Sequence, residues 1–394
     1  MGLTLGLTIL ACLATYSQQG KQDLEAPAPD TIALEDVTIG VLPFREGSLE
    51  ATGALFQMNF DEINRAGLFA SSELITLAPG VHMAQGTLNT QRLVIRGVGS
   101  RTPYNTNRIR AYLDDIPLTT GDGVSTLEDI DVKSIGRLVI LKGPSSALYG
   151  PGLGGIVRFT SPYPGQPGFS ASALSEIGAF RSRKYGLNGT YKKNKWAIAG
   201  GLNHSSTDGY RENSRYKRTN AFLSARRFGQ MHTLSLTFHL VRLFAEIPSS
   251  LNETDFLENP DLAGGTWGQI KGYEEYVKFL GGMSLQSELS RNIKNRITLF
   301  STSADPLERR PFNTLDDRSF NLGVREYLEF SFQQIKLQTG FEYFHEWYNW
   351  QIFETLPETT GLLLADHEEI RRYLNGFILG QWRPNDKFLV DAGF

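Results

Sequence analysis

Beyond Phe169 the chain alternates apolar and polar residues with a period of two, in segment after segment. Over 233–240, Leu234, Leu236, Phe238 and Leu240 share one face, while Thr233, Ser235, Thr237 and His239 share the other. Ile335, Leu337, Phe341 and Tyr343 oppose Lys336, Gln338 and Glu342 in the same way, and Val277, Phe279, Met283 and Leu285 oppose Lys278, Ser284, Gln286 and Glu288. Successive side chains of a strand point to opposite faces, so each segment is a two-faced strand. A soluble sandwich would alternate too. Strand length and connection length separate the two cases. The pattern predicts strands near 169–178, 184–193, 195–204, 218–227, 231–241, 276–290, 294–304, 319–332, 335–346, 369–383 and 386–394. Most have the roughly 9–11 residues or more that a tilted membrane strand needs. Connections at 194, 228–230, 291–293, 333–334 and 384–385 are tight, and those at 205–217, 242–275, 305–318 and 347–368 are long. Short and long nearly alternate, as in outer-membrane barrels with short periplasmic turns and long extracellular loops. Such a wall must close, because an open edge leaves backbone groups unpaired in lipid.

The 394 residues carry a net charge of −3, which leaves no basic footprint for nucleic acid. After the first residues no apolar run reaches the roughly 20 residues of a spanning helix. Residues 2–14 are apolar and lead into Thr15-Tyr16-Ser17, which predicts a signal peptide over 1–17, although no Lys or Arg precedes the apolar core. Cys12, the only cysteine, would leave with it; a lipoprotein signal at Ile9-Leu10-Ala11-Cys12 is the lesser reading. Phosphate loops, G-x-S-x-G, H-E-x-x-H and cysteine pairs are missing, so neither an enzyme nor a cofactor is expected. His345-Glu346 and Asp366-His367-Glu368-Glu369 flank the 347–368 connection. They read as solvated loop charge, with metal ligation the lesser reading there and at His82-Met83. Tyr343, Trp347, Tyr348 and Trp350 read as an interfacial aromatic girdle.

The stretch 138–161, LVILKGPSSALYGPGLGGIVRFTS, is a strand, a Gly/Pro-rich turn region and a second strand. It resembles the end of the plug domain of TonB-dependent outer-membrane receptors, through Ser134, Ile135, Arg137, Leu141, Gly143, Pro144, Ser146, Leu148, Tyr149, Gly150, Gly154 and Gly155. Upstream, Ile95-Arg96-Gly97 resembles the family's I-R-G, 112–118 with Asp114 its V-x-x-D-G-V-P, and Ala78-Pro79-Gly80-Val81 its P-G-V. The chain departs from the pattern at Gly136 and Val139, where the family has acidic residues. It also has Lys142 for Arg and Asp115 for Gly, so ion pairs between plug and wall should differ.

The resemblance implies a mainly β protein. An N-terminal mixed α/β plug over 46–165 would precede the N-terminal portion of a transmembrane antiparallel β-barrel over 166–394. Such receptors have about 22 strands, so eleven predict a C-terminally truncated fragment. Residues 18–45 read as a linker with a TonB box at Glu35, Asp36, Val37, Thr38, Ile39 and Gly40, suited to strand addition. Helices are expected over 61–70 and 71–78, capped by Asp61 and Ser71, and strands over 92–96 and 109–113. In the loop 97–108, Arg101, Tyr104, Asn105 and Arg108 offer donors and a ring for an anionic or oxygen-rich ligand. The implied function is capture and TonB-energised import at the outer membrane of a Gram-negative cell, by a monomer embedded in lipid. Its cargo would be a ferric siderophore or other iron complex, with cobalamin, another metal chelate or an oligosaccharide as alternatives. A passive porin or adhesin is the alternative of a different class.

Overall fold

The computed structural model describes residues 54–394, apart from 67–69, 102–105, 145, 151, 358 and 386. The expected signal peptide, the linker and all six TonB-box residues lie outside the described residues, as do Tyr104 and Asn105.

Residues 54–160 build the plug. Strand β1 (Ala54–Asn59) leads into helix α1 (Phe60–Arg65), and α2 (Ser71–Thr76) precedes the hairpin β2 (Val81–Gln85) and β3 (Gln91–Ile95). Then come β4 (Ile109–Leu113), β5 (Ile116–Pro117), β6 (Arg137–Lys142), the single-turn α3 (Ser146–Tyr149) and β7 (Gly155–Thr160). The sheet order is β1-β6-β7-β4-β5, with β4 and β7 parallel. The cap of α1 is Asn59 rather than Asp61: its side chain accepts from the Glu62 amide, and Glu62 reaches back to the Asn59 amide. That reciprocal pair satisfies two amides that a helix start would leave bare. Ser71 does not cap α2 either; its hydroxyl donates to the Leu127 carbonyl, inside the plug. The plug core gathers Ile63, Leu74, Ile95, Ile109, Leu113, Leu138, Ile140, Val157 and Phe159, and extends to Leu280, Phe300 and Phe344 of the wall.

The wall is an antiparallel sheet built in chain order: β8 (Gly168–Ile177), β9 (Arg183–Lys193), β10 (Trp196–Thr207), β11 (Tyr216–Phe228), β12 (His232–Glu246), β13 (Tyr273–Ser290) and β14 (Ile293–Ala304). A short β15 (Leu307–Arg309) pairs with β13 and with β16 (Thr314–Ser331), and β17 (Ile335–Thr355), β18 (Thr360–Asn385) and β19 (Phe388–Gly393) complete it. All eleven expected strands are present. Their polarity is inverted relative to a soluble domain: Leu236, Phe238 and Leu240 are exposed, whereas Thr237 and His239 between them are buried against the plug side. Glu342 is 1% exposed while its neighbour Phe341 is 39% exposed. Apolar outside and polar inside is the wall of a membrane barrel. The sheet is open, with β8 and β19 at its two ends.

The long connections are shorter than the sequence suggests, because the strands continue past the bilayer. The expected 347–368 loop is instead hairpin: β17 has 21 residues, β18 has 26, and only 356–359 connect them. Aromatic and β-branched residues such as Trp347, Tyr348, Trp350, Ile352 and Phe353 keep pairing energetically favourable there. Only the connection between β12 and β13 stays long; it carries α4 (Glu253–Glu258) and α5 (Gly265–Ile270). The girdle reading holds for part of its residues. Trp347 packs on Phe320 at 5.7 Å and is exposed, but Tyr348 faces the other way and donates to Asp317 at 2.7 Å. Trp350 Nε1 donates to Glu369 at 3.0 Å.

Candidate functional site

The plug motif residues do structural work that explains their types. Gly155 lies at φ +128°, and a Cβ there would fall 2.1 Å from the Leu141 carbonyl oxygen, so β6 and β7 could not approach. Arg96 and Gly97 turn the chain after β3 at φ 50° and 85°, and the Arg96 amide donates to the Gly80 carbonyl. Gly143 starts the turn after β6 at φ +115°, followed by an exposed Pro144. Its amide donates to the Gly154 carbonyl at 3.1 Å. Gly150 sits against the Tyr373 hydroxyl of β18. Tyr149 packs on Tyr112 at 5.1 Å, and the Arg325 guanidinium of β16 lies 4.9 Å from its ring.

Two adjacent aspartates latch the plug to the wall. Asp114, in a left-handed turn at φ 55°, accepts from the Ser161 amide and hydroxyl within the plug. It also accepts from Thr237 of β12 at 2.7 Å. Asp115 is bridged by Arg158 of the plug at 3.0 Å and Arg296 of β14 at 2.8 Å. Burial would raise this carboxyl, but the two guanidinium groups outweigh it and hold it well below the usual carboxylate range. The family's Gly at this position could make neither bond. Further round, Arg218 of β11 reaches the Glu128 carbonyl and Asp131, and Asn220 donates to the Asp129 carbonyl at 3.0 Å. The acidic segment 128–131 is therefore buried against the wall, with Arg218 and Lys278 on Asp131 and Asp129.

At the end of the molecule away from the tight turns, plug loops meet the long connections. Gly121 donates to Glu346 of β17 at 3.1 Å, and Arg371 of β18 binds Glu346 and Glu369. Glu346 and Glu369 thus belong to an ion-pair network with Arg371. Beside it lies a cavity of about 670 Å³. Its floor is plug: Asn89 and Thr90 of the β2–β3 turn, with Thr126 and Glu128. Its wall is Glu274, Tyr276 and Lys278 of β13 with Glu308 of β15, and its roof is Ser249, Ser250, Trp267 and Phe312 of the connections. Arg211 pins that roof by donating to the Leu262 and Ser249 carbonyls at 3.0 and 2.7 Å. Asn89 bonds Glu274 and accepts from the Tyr276 hydroxyl. Burial, then the neighbouring Asp129 charge, pushes Glu128 up to about 7. Burial likewise pushes Glu274 up to about 7; it sits near the start of β13, where it pairs with Glu308 of β15.

Of the residues expected to touch ligand, Arg101 and Arg108 are exposed and neither lines this cavity. Thr106 and Asn107 in the same loop touch 123–125, which places its foot beside the apex turn. The sequence reading missed Asn89, Glu128, Tyr276 and Lys278. The signal for the last two was the wall parity, which sets even-numbered residues of β13 inward with Leu280. No group of three or more His, Cys, Asp or Glu suited to a metal ion occurs among the described residues.

Residues 48–157 match the TonB-dependent Receptor Plug Domain family. A stretch of 132 residues is 26% identical to the pesticin receptor of Yersinia enterocolitica, covering 32% of this chain and 19% of that protein. The ferric citrate transporter FecA, solved unliganded, is similar in fold with a TM-score of 0.71 at 14% identity, over 88% of this chain and 63% of that one. The ferric-catecholate import receptor Fiu of E. coli gives 0.68 at 15% identity, over 87% and 56%. The chain thus spans less than two thirds of the length of these relatives. Residues 48–157 are a TonB-dependent receptor plug domain, and the chain has the plug-and-barrel-wall architecture of those outer-membrane receptors.

Proposed function

We propose that the protein captures a scarce extracellular ligand, most simply a ferric siderophore or other iron complex, and imports it with energy delivered by TonB. The cavity between plug turn and outer connections carries this reading: it is roofed by the connections, floored by the plug, and within the roughly 300–1,000 Å³ of small-molecule sites. The iron chelates named for FecA and Fiu support the ligand class. Cobalamin, another metal chelate or an oligosaccharide are the alternatives within the same class. Arg101, Tyr104, Asn105 and Arg108 would supply further donors at the apex. The domain plan remains signal peptide 1–17, linker with TonB box 18–45, plug 46–165 and wall 166–394. The box, Glu35–Gly40, would add as a strand to TonB, so that force on the linker acts on the plug. On this reading the exposed apolar face of the wall sits in the outer membrane, and the protein carries its cargo without transforming it.

The box is the point to test. Val37→Pro removes a strand donor and fixes the backbone. Cells expressing the receptor with this change should bind a panel of ferric siderophores as the parent does, yet accumulate none. Parental uptake by Val37→Pro would overturn the box assignment.

A further inference from the structure

Adjoining the outer cavity is a second one of about 100 Å³, lined by the plug segment 117–130 and strands β12, β13, β14 and β16. Its lining is polar in part, with Thr119, His239, Thr302 and Ser319. Only Thr126 and Lys278 line both cavities. Lys278 is also the single Lys or Arg on the inner lining. Its ammonium holds Asp129 of the plug at 2.9 Å and lies 4.1 Å from the Tyr276 ring centre. Tyr276 donates to the same Asp129. The partition between the cavities is thus one barrel cation, clamped by one plug carboxylate. Its side chain keeps 23% exposure, against 4% for Arg325 in its buried pair, so an incoming oxygen can reach it.

We propose that Lys278 is the relay by which an anionic oxygen of the cargo moves from the outer to the inner cavity. This rests on the import reading above. The cargo oxygen replaces Asp129 on the ammonium, and the freed Asp129 lets the segment 126–130 draw away from β13. At the ammonium the exchange is one for one, so Lys278 keeps a negative partner, and the displaced Asp129 carboxylate keeps the Tyr276 hydroxyl as its donor while it turns away from β13. A cationic or uncharged group has no means of displacing Asp129 and stays outside. Lys278 would therefore set a charge preference for passage, separate from whatever the outer cavity binds.

The test is thiol labelling from outside, in outer membranes of cells expressing the full receptor. Thr302→Cys reports the inner cavity and Ser250→Cys the outer one. The probes are a sulfonate-bearing and a trimethylammonium-bearing methanethiosulfonate. At Thr302→Cys the anionic reagent should react about tenfold faster than the cationic one. Adding Asp129→Asn, which frees the ammonium, should raise the anionic rate several-fold further and leave the cationic rate alone. Lys278→Gln should erase the preference, and Lys278→Arg should keep it. A merely structural Lys278 would alter both rates together. Ser250→Cys should label equally in all backgrounds. Equal rates for both reagents at Thr302→Cys, or no effect of Asp129→Asn, would overturn the relay. Because no cargo is used, that failure is independent of whether import itself is shown.

Discussion

Asp115 carries more consequence than any other single residue in the plug, because it stands where the family has glycine and neutralises two arginines at once. Asp115→Ala removes the carboxylate that bridges Arg158 and Arg296, and removing one partner of a buried pair costs about 3–5 kcal/mol. The variant should unfold at lower denaturant, and its plug should be cut faster by protease, than Thr237→Ala, which loses a single hydroxyl-to-carboxylate bond. Because the Asp115 carboxyl is held below its usual range, the stability it adds is present above the unfolded value and lost as pH falls through the lower folded value. Plug seating should therefore be unchanged from about pH 9 down to 5 through this pair, and soften only in stronger acid. Gly155→Ala should cost at least the roughly 1–3 kcal/mol of a strained backbone, read in the same melt. Sequence reading found these positions because glycine and a departure from a pattern are local facts. It could not find Arg296 as Asp115's partner, since 181 positions separate them and only the wall register brings them together.

At the scale of elements, alternation was a sufficient guide wherever one face meets lipid and the other the plug, and all eleven strands lay near their expected places. It failed at strand ends. Nothing in the pattern marks where bilayer gives way to water, so the outer halves of β17 and β18 read as loop although their aromatic residues continue the ladder. The helix caps failed for a smaller reason: Asn59 closes its capping box two residues before Asp61, the acidic residue that sequence suggested. The outer cavity brings together a plug turn, a wall strand and a connection, none of which marks it alone. Two of its carboxyls make a pH prediction. Glu128 and Glu274 lie near 7 in the folded protein against an ordinary value of 4.5, so between these the folded state holds more protons than the unfolded one. Stability through them is present at low pH and declines as pH rises towards 7. Compared with the Glu128→Gln, Glu274→Gln double variant, the parent should lose stability from about pH 5 to 7 and run parallel above 8. Parallel curves across the whole range would show both carboxyls ionised throughout.

The whole molecule is a plug seated against an open wall, and its two edges, β8 and β19, are the outstanding physical problem. Each unpaired amide or carbonyl at such an edge costs several kcal/mol in hydrocarbon. Residues 18–394 refolded alone in detergent should therefore aggregate or run identically boiled and unboiled. A heat-modifiable, protease-resistant monomer would show that the edges find each other. The plug-and-wall plan was legible because short motifs and strand periodicity are written in consecutive residues. The candidate cavity was not, because its lining is spread over plug turns, two strands and three connections. The central proposal is that binding is coupled to energised import rather than to passive leakage. The direct measurement is accumulation of radiolabelled iron, offered as a panel of ferric chelates, by iron-starved cells expressing the receptor with and without TonB. Surface binding in both strains with accumulation only where TonB is present is the predicted result. Equal accumulation in the two strains would contradict it.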